Sequence, residues 1–262
     1  MTRNWIGLFF KALLAIIVMF LANLVRVPLA TLPGMQEETS RALLFNSLTF
    51  VITFLVVAVF VALWTRYVEK NPFDFQWSKA WGLVGGTAVV AVPMVASWLV
   101  LPATTVDSPR PDATMVGALV IFLVVRSYIL QGIPEELLFR GWLFSLTQQR
   151  PLVTVVWTTI AFTLPHLLSS GGQQDIGDHF LYLVLPLGMG FLAGAVVVWK
   201  GNFWWAAGTH GGMHAVMGLL GALFPVELGA RAWVVIGIAH MVTAAVVLAW
   251  AYRRSREVPI QG

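Results

Sequence analysis

Residues 115 to 140 read MVGALVIFLVVRSYILQGIPEELLFR. The part from 115 to 133 is an apolar run close to the ~20 residues a bilayer-spanning helix needs, interrupted by Arg126 near its middle. It leads straight into two adjacent carboxylates and an arginine, Glu135, Glu136 and Arg140. Ionisable groups at membrane depth are costly and are as a rule kept for function. Pro134 has the fixed φ of a first helical turn and no N–H, so it predicts a start or a kink, with a second helical piece reaching Thr147. Both glutamates then fall in that first turn, where the helix dipole favours negative charge. Glu136 precedes Arg140 by four residues, so the two share a face and pair, whereas Glu135 points about 100° away around the helix. The plainer alternative is a charged helix start at the membrane edge.

The rest of the chain matches this stretch. Of its 262 residues 58% are hydrophobic and 11% charged, far from the balance of a soluble domain, so this is an integral membrane protein. Further runs of near-spanning length lie at about 5–25, 42–64, 80–101, 151–168, 180–199, 203–223 and 232–252. The expected fold is all-α, a single transmembrane domain over residues 1–262 with about eight helices enclosing an intramembrane polar cavity. The first run is too long for a signal-peptide core and lacks a small-residue cleavage site, so it is expected to stay as the first span. The absence of cysteine removes disulfides, thiolate metal sites and cysteine nucleophiles. A net charge of +4 in a polytopic chain mostly reports loop orientation, and nothing points to nucleic acid.

If both termini share a side, that side holds nine basic residues (Arg3, Arg66, Lys70, Lys79, Arg150, Lys200, Arg253, Arg254, Arg256) against four opposite (Arg26, Arg41, Arg110, Arg231). The termini are therefore expected to be cytoplasmic. The far side takes a Pro-rich loop at 102–112 and a Gly-rich loop at 169–179, both expected to be irregular. Tryptophans near helix ends, Trp5, Trp64, Trp77, Trp81, Trp204, Trp205 and Trp250, suit interfacial anchoring. Gly190 and Gly194 form a small-xxx-small pair that lets helices approach closely.

Inside the spans lie Lys11, Arg126, His166, His210, His214 and His240 as well. Lys11 reads as a lysine snorkelling to the interface and His240 as a packing histidine, while Arg126 has no evident partner. The other three histidines have company. His210 and His214 share one helical face, and Gly208, Gly211 and Gly212 beside them leave room for another backbone or a substrate. His166 follows Phe162 by four residues, directly after Pro165. Three histidines and two glutamates on three apolar helices need mutual satisfaction in lipid, which predicts that they converge.

The arrangement resembles the CAAX-protease and bacteriocin-processing intramembrane proteases, the Abi family. Glu135-Glu136-Leu-Leu-Phe-Arg140 matches its EExxxR motif and Phe162-Thr-Leu-Pro-His166 its FxxxH motif. His210-Gly-Gly-Met-His214 occupies the place of its HxxxN or HxxxD motif, with the departure that the last position is His214. The protease core of this resemblance spans residues 115–223. It implies that Glu135 and His166 activate the attacking water, that His210 and His214 support the oxyanion, and that Glu136 and Arg140 hold the site together. A buried carboxylate as general base and N–H donors for the oxyanion are also what peptide hydrolysis needs on chemical grounds.

The expected activity is that of an intramembrane endopeptidase, similar to CAAX prenyl protease 2, glutamic-type in preference to metallo-type. Its substrates are membrane-associated peptides or proteins in the lipid bilayer, in peptide processing or bacteriocin self-immunity. No cofactor is favoured. The metal alternative places zinc on His166, His210 and His214 with Glu135 as base, a set made more plausible by His214, although HExxH is absent. Ser169 and Ser170, in the expected outer loop, offer no serine mechanism beside the histidines, and Asp175 and Asp178 share that loop without forming a dyad across helices. A second class of reading is a non-catalytic polytopic transporter or immunity protein that uses the buried charges for ion passage. Compact size without organellar features points to a bacterial inner or plasma membrane.

Overall fold

In the computed structural model, residues 4–37, 39–105, 111–169 and 171–257 are described. Arg3, Glu38, Asp107, Arg110 and Ser170 lie outside them. Among the described residues the chain is helical throughout, its one extended pairing being an isolated antiparallel bridge between Ala103 and Val226 that ties two loops together. Seven helices are long and apolar enough to cross a membrane: α1 (Trp5–Ala30), α2 (Ser40–Val68), α3 (Trp77–Trp98), α4 (Ala113–Ser145), α5 (Pro151–Leu168), α6 (Ile176–Lys200) and α8 (Ala230–Arg254). The eighth, α7 (Phe203–Leu223), has the length but carries the histidine and glycine residues that lower its hydropathy, and its first eleven residues are buried. Burial of this first half relieves it of the need for a lipid-compatible surface, whereas the second half exposes Leu219 and Leu223.

Local chemistry sets the helix ends. Asn4, Thr39, Asp112 and Asp175 each cap an N-terminus by accepting a backbone N–H from three residues ahead. Gly201, at φ +72°, closes α6 in a left-handed turn that a side chain would strain. Asp175 starts α6 at Ile176, so the irregular part of the Gly-rich loop is shorter than its sequence indicates.

Since lipid tails are as apolar as leucine, helices in a bilayer are held by close packing and polar cross-links. Here α7 is the hub, packed on α3, α4 and α6. A Cβ added to Gly208 would lie 2.7 Å from the Gly82 carbonyl oxygen, and one on Gly212 2.8 Å from the Thr87 Cα, so α3 and α7 touch backbone to backbone. Across the same seam Thr87 Oγ1 donates to the Gly208 carbonyl at 3.2 Å and lies 2.7 Å from the Tyr128 hydroxyl of α4.

Pro134 does not begin a new helix. α4 runs unbroken through it, because the turns on either side are widened to π geometry over Arg126–Gly132 and Leu137–Trp142. The Ile133 N–H reaches back to the Tyr128 carbonyl and that of Leu143 to Leu138, five residues each. Wide turns accommodate a residue without an N–H and re-aim the side chains around it, a device common at functional sites. Glu135 and Glu136 therefore sit mid-helix rather than at a helix start, and the charges of the site, not a helix dipole, surround them.

Candidate active site

Glu136 and Arg140 are buried, at 0% and 2% exposure. Arg140 Nη1 donates to Glu136 Oε1 at 3.3 Å, the i, i+4 pair expected from spacing and preserved across the wide turn. Arg140 Nη2 donates to the Gly190 carbonyl of α6 at 2.9 Å. A Cβ at Gly190 would stand 2.7 Å from that nitrogen, so this glycine makes space for the guanidinium in addition to helix packing. From α7, His210 Nδ1 lies 2.9 Å from the same Glu136 oxygen. Glu136 thus joins α4 to α7, and Arg140 joins α4 to α6.

Glu135 is half-buried and takes part in no hydrogen bond or ion pair among the described residues. It lines a cavity of about 160 Å³ together with His166, Phe139, Phe162, Pro165 and Ser169, closed on the other side by Ile16, Met19, Phe20 and Asn23 of α1. His166 Nδ1 is 2.9 Å from the Phe162 carbonyl, which must accept, so Nδ1 carries the proton and Nε2 is left as an acceptor. The FxxxH spacing does more than bring these two together. The Phe162 ring contacts His166 (4.8 Å between centroids), His210 (5.6 Å) and Phe139 (5.4 Å), and the Arg140 guanidinium carbon lies 4.6 Å from its centre. One aromatic ring therefore fixes the separation of all three motifs.

His214 sits one turn beyond His210, with ring centroids 5.3 Å apart, and no described group bonds to it. A zinc site on His166, His210 and His214 does not fit this arrangement: among the described residues no three metal-capable side chains are grouped as an ion requires. Ser169 differs from its sequence reading, since it lines the cavity with Glu135 and His166. Asp175 and Asp178 are occupied at the start of α6, the former capping the helix and the latter accepting the Gln174 N–H at 3.0 Å.

Three further features were not legible in the sequence. Gly190 looked like a packing residue alone. Lys11, rather than ending free at the interface, pairs with Glu69, whose Oε1 also accepts from Trp64 Nε1 and Trp142 Nε1 at 3.3 and 3.2 Å. A second, polar cavity of about 480 Å³ adjoins Glu135, lined by Asn23, Arg26, Asn46, Arg126 and Gln131 among others. Its polar residues are spread over α1, α2 and α4 with no common motif. His240, as expected, packs in the interior with Nδ1 2.6 Å from the Ile236 carbonyl.

Residues 117–216 match the family described as type II CAAX prenyl endopeptidase Rce1-like. The chain carries an Rce1-like core. No curated protein and no solved structure gives a significant match. The Rce1-like core holds Glu135, Glu136, Arg140, Phe162, His166, His210 and His214, and leaves out α1 to α3 and α8. With the spanning helices, it supports a membrane-embedded peptidase of the CAAX-protease type.

Proposed function

We propose that this protein is an intramembrane endopeptidase in which Glu135 activates a water molecule against a peptide bond of a membrane-associated substrate. What supports the assignment most is the division of labour between adjacent carboxylates. Glu136 is committed to Arg140 and His210. Glu135 faces a cavity beside His166 with no group competing for it. In this mechanism the water oxygen bonds to the carbonyl carbon while Glu135 takes its proton, and that proton passes to the leaving amine as the C–N bond breaks. His166, accepting at Nε2, orients the water.

The oxyanion requires an N–H donor. His210 faces a carboxylate through Nδ1, so it offers Nε2–H only as an imidazolium. His214 is held by no described group and presents an N–H in its neutral form, which makes it the better donor. Histidine at this position thus supplies the hydrogen bond that Asn gives in the resembling family. We place the protein in a bacterial plasma membrane with cytoplasmic termini, acting in peptide processing or self-immunity.

The test is to incubate the purified protein, or its Glu135→Ala variant, with membrane proteins of its host and search for new peptide termini by mass spectrometry. New termini made by the wild type and missing with the variant are expected. No new termini from either protein would favour a non-catalytic immunity or transport role.

A further inference from the structure

Lys11, Asn23 and Arg26 are the charged or amide residues of the otherwise apolar α1. An amide on a spanning helix is commonly kept as a cross-link to a neighbouring helix. Asn23 makes no such link: its Nδ2 donates to the Met19 carbonyl of its own helix at 3.0 Å, and no other described group bonds to it. A carboxamide has two N–H donors and a carbonyl oxygen that accepts. One N–H and Oδ1 are therefore unused, and the bond to Met19 limits the directions in which they point.

The place of this amide gives it a task. Asn23 lines the cavity of about 160 Å³ in which Glu135 meets His166, and it also lines the polar cavity of about 480 Å³ beside it. The two cavities share Met19 and Asn23 of α1 and Glu135 of α4. Their junction is thus walled by an amide from one helix and a carboxylate from another, and a chain running from one cavity into the other passes both. For attack that chain has to be extended, and in hydrocarbon an extended segment has no water to satisfy its N–H and C=O groups. Each group left bare is costly. A carboxamide is the same chemical group as a peptide unit, so its N–H can take the carbonyl of the chain and its Oδ1 can take an N–H. Resting on the endopeptidase reading above, we infer that Asn23 is a substrate-binding residue whose carboxamide hydrogen-bonds the backbone beside the scissile bond and holds the chain extended against Glu135. The residue lies outside the Rce1-like core, so none of the three motifs includes it.

The experiment uses the full chain in nanodiscs of zwitterionic lipid and an apolar peptide of about 20 residues, together with a series in which each backbone amide in turn is replaced by an ester, which removes one N–H. Binding is measured on Glu135→Gln with and without Asn23→Leu, and hydrolysis on the wild type and Asn23→Leu. Leucine suits a lipid-facing helix, and melts check that the variant is folded. Asn23→Leu is expected to weaken binding of the all-amide peptide roughly tenfold. One ester, within about two residues of the bond that mass spectrometry shows to be cut, should cost roughly two- to tenfold with Asn23 present and less than twofold with leucine there. Asn23→Gln, which keeps the carboxamide, should recover part of the loss. A merely structural asparagine would not couple to one backbone position of the peptide. Ester penalties that are the same with and without Asn23 at every position overturn the inference, as does a coupled position far from the cut. Coupled binding with no hydrolysis by the wild type sinks the protease reading alone. Hydrolysis without coupling sinks the role of Asn23 alone, and a peptide series that is neither bound nor cut counts against both.

Discussion

Replacing Glu136 by glutamine removes one charge and almost no volume, at a place where the consequence is calculable. Glu136 and Arg140 are buried, and their contact is the 3.3 Å pair between Oε1 and Nη1. After the change Arg140 keeps its bond to the Gly190 carbonyl but loses its hydrogen-bonded counter-charge. Leaving one partner of a buried pair uncompensated costs about 3 to 5 kcal/mol. At roughly 2 to 4 °C per kcal/mol for a chain of this size class, the melting temperature should fall by about 6 to 20 °C. Removing the stranded cation as well reverses much of this, so Glu136→Gln with Arg140→Met should be more stable than Glu136→Gln alone. By contrast Glu135 has no hydrogen bond to lose, and Glu135→Gln should stay within about 1 kcal/mol of the wild type. Tryptophan-fluorescence melts of all four proteins in one nanodisc preparation make the comparison. A Glu136→Gln protein that melts with the wild type yet has no turnover would refute the reasoning, and the two carboxylates would have to exchange roles or be treated as one coupled site.

Gly190→Ala places a methyl group 2.7 Å from Arg140 Nη2, and overpacking at this point should cost about 1 to 3 kcal/mol and lower turnover, measured by the same melts and a peptide assay. Chelators should leave hydrolysis intact and the purified protein should hold no stoichiometric zinc; metal analysis showing one zinc per chain, with loss on chelation and rescue by zinc, would reverse this. With α7 as an eighth crossing beside the seven long apolar helices the two ends share one side, and a compartment-sensitive reporter fused after Gly262 should then report the cytoplasm. Phe162→Leu keeps an apolar residue but removes the ring shared by the three motifs, so kcat should fall with melting temperature lowered by no more than a few degrees.

The spans were legible because bilayer thickness imposes a length that composition reveals directly, and each expected run from Trp5 onward has its helix. The Glu136–Arg140 pair was legible for a similar reason, as i, i+4 geometry is local. Pro134 was read as a start or a kink because its missing N–H is a local fact, whereas the wide turns that carry the helix through it depend on the packing of α4 against α2 and α7. Ser169 was assigned to a loop by the glycines after it, but the 3₁₀ turn Leu164–Leu168 carries it back to the cavity. The second, polar cavity beside Glu135 was hidden for a different reason. Arg26 and Arg126 lie a hundred residues apart on helices with no shared motif, and α1 to α3 fall outside the matched core.

The claim that Glu135 performs the chemistry is tested most directly by the turnover of Glu135→Gln against the wild type on one defined membrane peptide, with melts confirming that both are folded. General-base catalysis contributes about 10² to 10⁴ in rate, so the variant should lose at least about a hundredfold in kcat at unchanged stability. Turnover within tenfold of the wild type from a folded Glu135→Gln protein would contradict the account.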